Sequence, residues 1–422
     1  MYKRLSIFLF LVILSSCSVK SKSDPSILTS MQMMDRNGFS ETISSKDRLA
    51  VYQKVDFLAP QPYQKVLRVF GRDLEGRSQS KITSYHSNGQ VWQFLEVVDG
   101  RAHGKYLEWH QNGKLKIDAN VIEGVADISE MAQASWIFDG KSSAWNEEGS
   151  LIAEIYYDKG ALQDPSLYYH PNGQLEKVIP YNKNKINGIV KVFDPEGHLI
   201  EKMEFDKGLR QGVSLGYWSE NSLKYQEDYQ NDLLITGTYF DSDGQMASEV
   251  KSGNGFQANF GMEKPYSLVE YQNGLPEGIV KIFDEDGSLH CSYFIKNEKK
   301  HGEEWEYYPK SAQPKLFLFW QEDAIQGMVK TWYENGVMES QKEMNGNKKH
   351  GICFAWFKDG QMMFMEEYDM DVLVKGTYFK KGDKNPISKI DSGKGIASLY
   401  DGNGHFLKKV HYERGKPIVD PS

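Results

Sequence analysis

The clearest fold signal in the sequence is the stretch Met328-Val329-Lys330-Thr331-Trp332-Tyr333-Glu334-Asn335-Gly336, with Met338 two residues beyond it. β-Branched and aromatic residues favour a strand, and Asn-Gly tolerates the left-handed backbone angles of a tight hairpin turn. The apolar residue two positions after the glycine indicates that a second strand follows the turn. The stretch therefore predicts one β-hairpin.

The same pattern recurs along the chain from about Tyr85 onward, at intervals that are often 24 residues, as from Gly336 to Gly360. An aromatic residue stands four positions before each turn residue: Tyr85, Trp109, Trp145, Tyr169, Phe193, Trp218, Phe240, Phe283, Tyr307, Trp332, Trp356 and Tyr400. In two of these units a serine, Ser222 or Ser311, replaces the turn glycine. A lone hairpin is too small to fold, so we interpret these rings as the shared core of stacked hairpins.

A longer repeat lies over the short one, and we expect 140–277 and 278–417 to be copies of one block. Gly237-Thr238-Tyr239-Phe240 returns 139 residues later as Gly376-Thr377-Tyr378-Phe379. The predicted fold class is all-β, an extended twisted antiparallel sheet of stacked hairpins. The array is expected to span 85–415, after a cap or degenerate first repeats in 50–84 and before a tail in 416–422.

The N-terminal residues predict export and a lipid anchor. Lys3 and Arg4 precede a short apolar run, which is too short to cross a bilayer but suits a signal peptide. The run ends in Leu14-Ser15-Ser16-Cys17, which resembles the lipobox of bacterial lipoproteins. We expect 1–16 to be removed, Cys17 to carry lipid and 17–49 to act as a flexible tether. An ordinary signal peptide that contains a cysteine is the alternative.

The hairpin pattern resembles the MORN repeat variant of the YwqK-like antitoxin family. The matching stretches are Gly104-Lys105-Tyr106-Leu107-Glu108-Trp109-His110-Gln111-Asn112-Gly113, the stretch 328–336 and the linker Lys348-Lys349-His350-Gly351. The resemblance implies a hairpin array that acts as a scaffold or a binding surface. Together with the lipobox it predicts a non-enzymatic, lipid-anchored scaffold in the bacterial cell envelope, at the periplasmic face of the outer membrane if the source is Gram-negative. The alternative is an antitoxin-type protein that binds and neutralises a toxin.

Composition argues against several other classes of function. The net charge is −8 and no long basic run occurs, so the charge argues against nucleic acid as a partner. The sequence lacks the usual zinc spacings, and turns such as Asp241-Ser242-Asp243-Gly244 lack a complete calcium loop. We therefore expect no metal, no cofactor and no catalytic residues. A hydrolase with scattered carboxylates is the remaining enzyme hypothesis, and no residue spacing supports it.

The cysteines and a second set of aromatic residues give two further expectations. Cys291 and Cys353 lie about two and a half hairpins apart, so we expect two free thiols. A second aromatic set beside the turns is expected to be exposed and to form a stripe for a protein partner: Tyr168, Tyr217, Tyr308, Tyr333 and Phe357. The other expected attachment is to the membrane, through the lipid on Cys17.

Overall fold

The computed structural model describes residues 27–73 and 75–418. The predicted signal peptide and the lipid attachment site Cys17 lie outside these residues. The chain divides into two compact units, with the boundary between Gly173 and Gln174. Each unit is described by itself.

The first unit is an antiparallel sheet with two short helices. Its strands are β1 Leu28–Met34, β2 Ser40–Ile43, β3 Lys65–Arg72, β4 Ser78–Tyr85, β5 Val91–Val98, β6 Arg101–Trp109, β7 Leu115–Glu123, β8 Ile137–Phe138, β9 Gly140–Trp145, β10 Leu151–Asp158, β11 Ala161–Leu162 and β12 Asp164–Tyr169. The helices are α1 Lys46–Tyr52 and α2 Glu130–Gln133. From β3 onward the chain adds hairpin to hairpin in sequence order, and β1 pairs with both β2 and β3.

The second unit continues the same plan without helices in its described residues. Its strands are β13 Leu175–Asn182, β14 Lys185–Ile186, β15 Gly188–Phe193, β16 Leu199–Asp206, β17 Leu209–Arg210, β18 Gly212–Ser219, β19 Ser222–Gln230, β20 Leu233–Phe240, β21 Met246–Lys251, β22 Asn254–Phe260, β23 Pro265–Gln272, β24 Leu275–Phe283, β25 Leu289–Lys296, β26 Lys299–Tyr307, β27 Pro314–Gln321, β28 Ala324–Ile325, β29 Gly327–Trp332, β30 Met338–Asn345, β31 Lys348–Lys349, β32 Gly351–Trp356, β33 Met362–Asp369, β34 Val372–Tyr378, β35 Ser388–Asp391, β36 Lys394–Tyr400, β37 Phe406–Glu413 and β38 Lys416–Pro417. The predicted fold class, all-β with stacked antiparallel hairpins, is confirmed.

Residues 28–43 correct the predicted boundary of the tether. They form β1 and β2, and the side chain of Met31 is fully buried. Met31 and Met33 alternate along β1 and pack in the same core cluster as Val66 of β3. The sequence suggested a tether because polar residues surround these methionines, whereas two buried side chains suffice to bind a strand to a sheet edge.

Two kinds of turn join the strands of the second unit. At the turn after Trp332, Gly336 has φ 84° and its N–H donates to the Tyr333 carbonyl at 2.9 Å. The register shifts beside Trp332, so this turn is followed by a glycine bulge. At the other ends of the hairpins both central residues are left-handed, as at Met370 (φ 47°) and Asp371 (φ 71°), the geometry of a two-residue hairpin turn.

The copied blocks keep their strand pairing although one is longer. The offset of 139 residues between Gly237 and Gly376 becomes 141 at Tyr271 and Tyr412. One extra residue falls in the connection 379–387, and the other falls in the connection after β36. Insertions between the copies therefore lie in connections and leave the paired strands unchanged.

The predicted core is only partly correct. Of the twelve aromatic residues before the turns, Tyr85 is buried and the others are half-buried. Most of them are the last residue of a strand, as Trp332 is of β29, and a ring at the end of a hairpin has few neighbours beyond it. The fully buried side chains of the second unit are at other positions and include Tyr239, Leu234, Tyr378 and Leu373.

Candidate functional site

The residues of the predicted partner-binding stripe are neither one row nor all exposed. Tyr168 and Tyr217 precede the aromatic residue of their hairpins, whereas Tyr308, Tyr333 and Phe357 follow it. These are two different positions in the repeat, which therefore do not align in a single row. Tyr333 is 9% exposed and Phe357 is 0% exposed, so the expectation that the set is exposed was wrong for these two residues. Tyr168, Tyr217 and Tyr308 are half-buried.

The turn contacts explain why Tyr333 and Phe357 are buried. The hydroxyl of Tyr333 donates to the Trp356 carbonyl at 2.9 Å, and the hydroxyl of Tyr308 donates to the Trp332 carbonyl at 2.7 Å. The ring of Phe357 contacts that of Tyr400 edge to face at 6.3 Å. These side chains join successive turns, and their role in the described structure is packing.

A different surface, in the second unit, has the character of a docking face. Residues in register on neighbouring strands share a face of the sheet. The pairing defines one row across the strands from β23 to β35, which we name the lysine row: Leu268, Lys281, Ser292, Trp305, Phe317, Lys330, Gln341, Phe354, Met365, Thr377 and Lys389. The lysine row alternates aromatic or apolar groups with polar and cationic ones.

The opposite face of these strands is packed. Side chains one position from the lysine row point the other way, and Val280, Val329 and Ala355 are 4%, 3% and 5% exposed. In the lysine row, by contrast, Phe317 is half-buried and Met365 is 41% exposed. Apolar side chains left open on the face opposite such buried residues are typical of a protein-binding surface.

The aromatic rings of the lysine row are held by contacts within the face. The rings of Trp305 and Phe317 are 4.6 Å apart, and Trp305 also stacks on Trp332 at 6.0 Å. The ammonium of Lys330 lies 5.9 Å from the centre of the Phe317 ring, a cation–π distance. The rings are therefore ordered before any partner binds, which lowers the entropic cost of association.

A second row lies two residues further along each strand on the same face, and we name it the carboxylate row. It contains Glu270, Ile279, Phe294, Glu303, Phe319, Met328, Glu343, Ile352, Glu367, Lys375 and Asp391. Its apolar members are open to solvent, with Phe294 42%, Phe319 39% and Ile352 48% exposed. The two rows together form a face in which apolar groups lie between charges.

The face also has a shallow depression of about 280 Å³ near its β35 end. Its apolar lining comes from Ile352, Met365 and Ile390, and its charged lining comes from Lys375, Lys389, Glu366, Glu367 and Asp391. The backbone of Gly376 also lines the depression. The depression has room for an apolar side chain beside a cation.

Two buried glutamates form the most unusual polar sites of the second unit. In the Glu227 cluster, Oε1 of Glu227 accepts hydrogen bonds from the Tyr239 hydroxyl at 2.7 Å and from Gln257 Nε2 at 2.8 Å. Its Oε2 accepts from the Tyr229 hydroxyl at 3.1 Å, and Arg210 Nη1 donates to that hydroxyl at 2.9 Å. Burial raises the pKa of Tyr239 above its ordinary range.

The Glu366 cluster is the copy of this site 139 residues later. The Tyr378 hydroxyl donates to Glu366 at 2.7 Å and the Tyr368 hydroxyl at 3.1 Å. Lys349 takes the place of the arginine, with its ammonium 4.6 Å above the Tyr368 ring, and Ala397 takes the place of Gln257. Glu227 is 4% exposed and Glu366 is 7% exposed, so both carboxylates are enclosed and serve the packing of the sheet.

Among the described residues, no metal-binding group lies at the face or at the glutamate clusters. Within residues 27–73 and 75–418 no group of three or more histidine, cysteine or acidic side chains is placed to hold a metal ion. Cys291 is half-buried and Cys353 is buried, both as free thiols, and burial raises the pKa of Cys291 to about 11. Among the helices that the structure describes, none has the length and apolar character needed to cross a membrane.

The sequence reasoning missed both the rows and the glutamate clusters. The signal for the clusters is a glutamate two residues from a tyrosine on the buried side of a strand, as in Glu227-Asp228-Tyr229 and Glu366-Glu367-Tyr368. The rows could be found only by aligning strands in register, because neighbours in a row are distant in sequence.

Comparison with known proteins supports the repeat. Four stretches match the MORN repeat variant, at residues 102–122, 165–183, 186–207 and 325–345, so the predicted repeat type is confirmed there. No curated protein matches the chain.

Two solved structures share a weak likeness with the chain. A crystal structure of TcdB2-TccC3-TEV is 11% identical, with 90% of this chain and 24% of that chain covered and a TM-score of 0.15. This chain thus spans about a quarter of the length of that protein. A porin-like protein from Bacteroides uniformis is 9% identical, with 57% of this chain and 94% of that chain covered and a TM-score of 0.16. Scores this low carry no argument about fold or function.

Proposed function

We propose that this chain is a non-enzymatic, lipid-anchored repeat protein that acts as a protein-binding scaffold in the bacterial cell envelope. The observation that carries the scaffold role is the contrast between the two faces of the sheet in the second unit. One face includes the buried side chains of Val280, Val329 and Ala355, while the lysine and carboxylate rows leave aromatic and apolar side chains open, as at Met365, Phe294 and Phe319. MORN-variant stretches in the same chain agree with a repeat scaffold.

The docking role is tested by site-specific photo-crosslinking in cells of the source organism. A photoreactive residue replaces Met365 or Phe319, which are exposed on the face, or Leu58, which is 47% exposed in the first unit and serves as the control. We expect a discrete crosslinked protein from the two face positions and none from Leu58. Equal crosslinking at all three positions would contradict a docking role for this face.

The anchor is tested by fractionating tagged wild type and Cys17→Ser from cultures that contain labelled palmitate. We expect label and membrane recovery for the wild type and loss of both in the variant, since the thiol of Cys17 is the acylated group. An unlabelled, soluble and uncleaved wild type would contradict the envelope assignment. That outcome would favour the antitoxin-type function that the resemblance to YwqK-like proteins implies, with the same face bound to a toxin.

A further inference from the structure

The lysines of the lysine row have no acidic partners. Lys281, Lys330 and Lys389 make no ion pair within the part of the chain that the structure describes, although other lysines of the unit do, such as Lys375 with Glu367 at 3.6 Å. Lys281 and Lys330 are half-buried, and Lys389 is exposed. A half-buried ammonium group without a carboxylate partner would be stabilised by an anionic group of a ligand.

The neighbouring carboxylates do not pair with these lysines, because most of them bind other groups. Glu270 accepts the backbone N–H of Ile279 at 2.7 Å, and Glu303 accepts Trp305 Nε1 at 3.0 Å. Glu367 pairs with Lys375 at 3.6 Å. Three of the five carboxylates of that row are thus engaged, whereas Lys281 and Lys330 lie over aromatic rings, Phe256 at 5.2 Å and Phe317 at 5.9 Å, and have no carboxylate partner. This contrast favours an anionic occupant along the lysine row.

The spacing of the lysines suits an extended polypeptide that crosses the strands. Four strand intervals separate Lys281 from Lys330 and five separate Lys330 from Lys389, about 19 and 24 Å at ~4.8 Å per strand. An extended chain advances about 3.3 Å per residue. Carboxylates about six and about seven residues apart would therefore reach the three lysines in turn.

Apolar contacts lie between the lysines. Trp305 and Phe317 occupy the first interval, and Phe354 and Met365 occupy the second. The depression beside Met365 can take one apolar side chain. The row thus matches a segment in which acidic residues alternate with aromatic or aliphatic ones.

We propose that the lysine row binds an extended acidic segment of a partner protein, with carboxylates on Lys281, Lys330 and Lys389 and apolar side chains on the rings between them. This inference rests on the proposed docking role of the face. A flexible segment can follow the twist of the sheet along the row, whereas a rigid flat partner cannot.

The test is selection of phage-displayed linear peptides of about 16 residues on the folded protein, followed by titration of the selected peptides. Titrations compare wild type with the triple variant Lys281→Gln, Lys330→Gln, Lys389→Gln. Lys251→Gln, whose lysine already pairs with Glu249 at 2.7 Å, is the matched control. A second variant, Phe317→Ser with Met365→Ser, tests the face itself, and circular dichroism confirms that every variant is folded.

We expect enrichment of acidic residues at the stated spacing and a loss of about 3-fold in affinity for each lysine removed, since an exposed ion pair contributes modestly. Lys251→Gln should bind as wild type, and higher salt should weaken binding. Peptides without acidic enrichment that bind the triple variant fully but fail on the Phe317 and Met365 variant would overturn the acidic inference and leave the docking face standing. Failure to select peptides, or binding that survives both variants, would overturn both proposals.

Discussion

The Glu227 and Glu366 clusters show which parts of a copied site are fixed and which can change. Both keep a buried carboxylate with two tyrosine donors, at the same pair of distances. The third donor, Gln257, is present only in the first cluster, and an arginine in one cluster is a lysine in the other. A buried carboxylate without hydrogen bonds costs several kcal/mol, so the two tyrosines are the minimum that permits burial. The remaining positions are free to differ.

Removal of either glutamate should give the largest effect. Glu227→Ala leaves two tyrosine hydroxyls and a glutamine amide without their acceptor and Arg210 without its ion-pair partner at 3.9 Å. We expect a loss of about 4 kcal/mol in unfolding free energy. Glu366→Ala orphans fewer donors and should cost about 3 kcal/mol. Hydrogen exchange of β19 and β33 measures each site locally, and Glu334→Ala at an exposed turn is the control. Equal and small losses at both sites would contradict the account of the clusters.

Removal of a tyrosine hydroxyl should destabilise the Glu366 cluster more than the Glu227 cluster, the reverse of the order expected for removal of the glutamates. Tyr239→Phe leaves Glu227 with two donors and should cost about 1 kcal/mol, whereas Tyr378→Phe leaves Glu366 with one and should cost about 2 kcal/mol. Gln257→Ala should make Tyr239→Phe as costly as Tyr378→Phe. A double-mutant cycle checks this, and strict additivity of Gln257→Ala and Tyr239→Phe would argue against a shared acceptor.

Alkaline pH should weaken both clusters. Burial raises the pKa of Tyr239 and of Tyr378 in the folded chain. Because these tyrosines hold their protons more tightly in the folded chain than in the unfolded chain, their contribution to stability is complete below the unfolded tyrosine pKa of about 10. Above that pH the contribution is lost, at up to about 1.4 kcal/mol per pH unit for each tyrosine. Denaturant titrations between about pH 9 and 11 measure the slope. Tyr378→Phe should give a shallower slope than wild type, and an unchanged slope would contradict the assignment.

Exchange of the cations should give the smallest effect. Arg210→Lys removes the hydrogen bond to Tyr229 and should cost less than about 1 kcal/mol. Lys349→Arg keeps a cation over the Tyr368 ring and should stay within about 0.5 kcal/mol of wild type. Thermal unfolding of both variants is the measurement. A larger loss for Lys349→Arg than for Arg210→Lys would mean that the two cations do not play the same part.

The sequence predicts the hairpins because their signals are local. The Asn335-Gly336 turn, the aromatic residue before it and the 139-residue copy are all visible in the order of residues. The two-residue turn at Met370 and Asp371 has no such sequence signal. Both residues have left-handed backbone angles, but the pair contains no glycine and is not one of the usual turn pairs such as Asn-Gly or Asp-Gly. Turns without glycine are therefore found only once the strands on either side are paired.

The choice of buried face could not be predicted in the same way. Both sides of many strands carry apolar groups, so alternation alone does not say which side packs. Trp332 and Phe240 stand at a constant distance of four residues before the turn glycine, which suggests a core position. The buried side chain is instead Tyr239, one residue before Phe240, which is 1% exposed. A buried glutamate is hard to recognise in a sequence because most carboxylates are solvated. The spacing of Glu227 and Tyr229 on one strand is visible, but the second tyrosine, Tyr239, comes from the neighbouring strand.

The placement of the extra residues between the two copied blocks has a practical consequence. Because length changes in connections such as 379–387 leave the pairing of β34 and β35 in place, these loops are suitable points for genetic insertion. Gly382 lies in open space within that loop. An epitope or a fluorescent reporter inserted there would display on the molecule without shifting the strands, and it would leave both the predicted N-terminal anchor sequence and the open face of the sheet intact for use in cells.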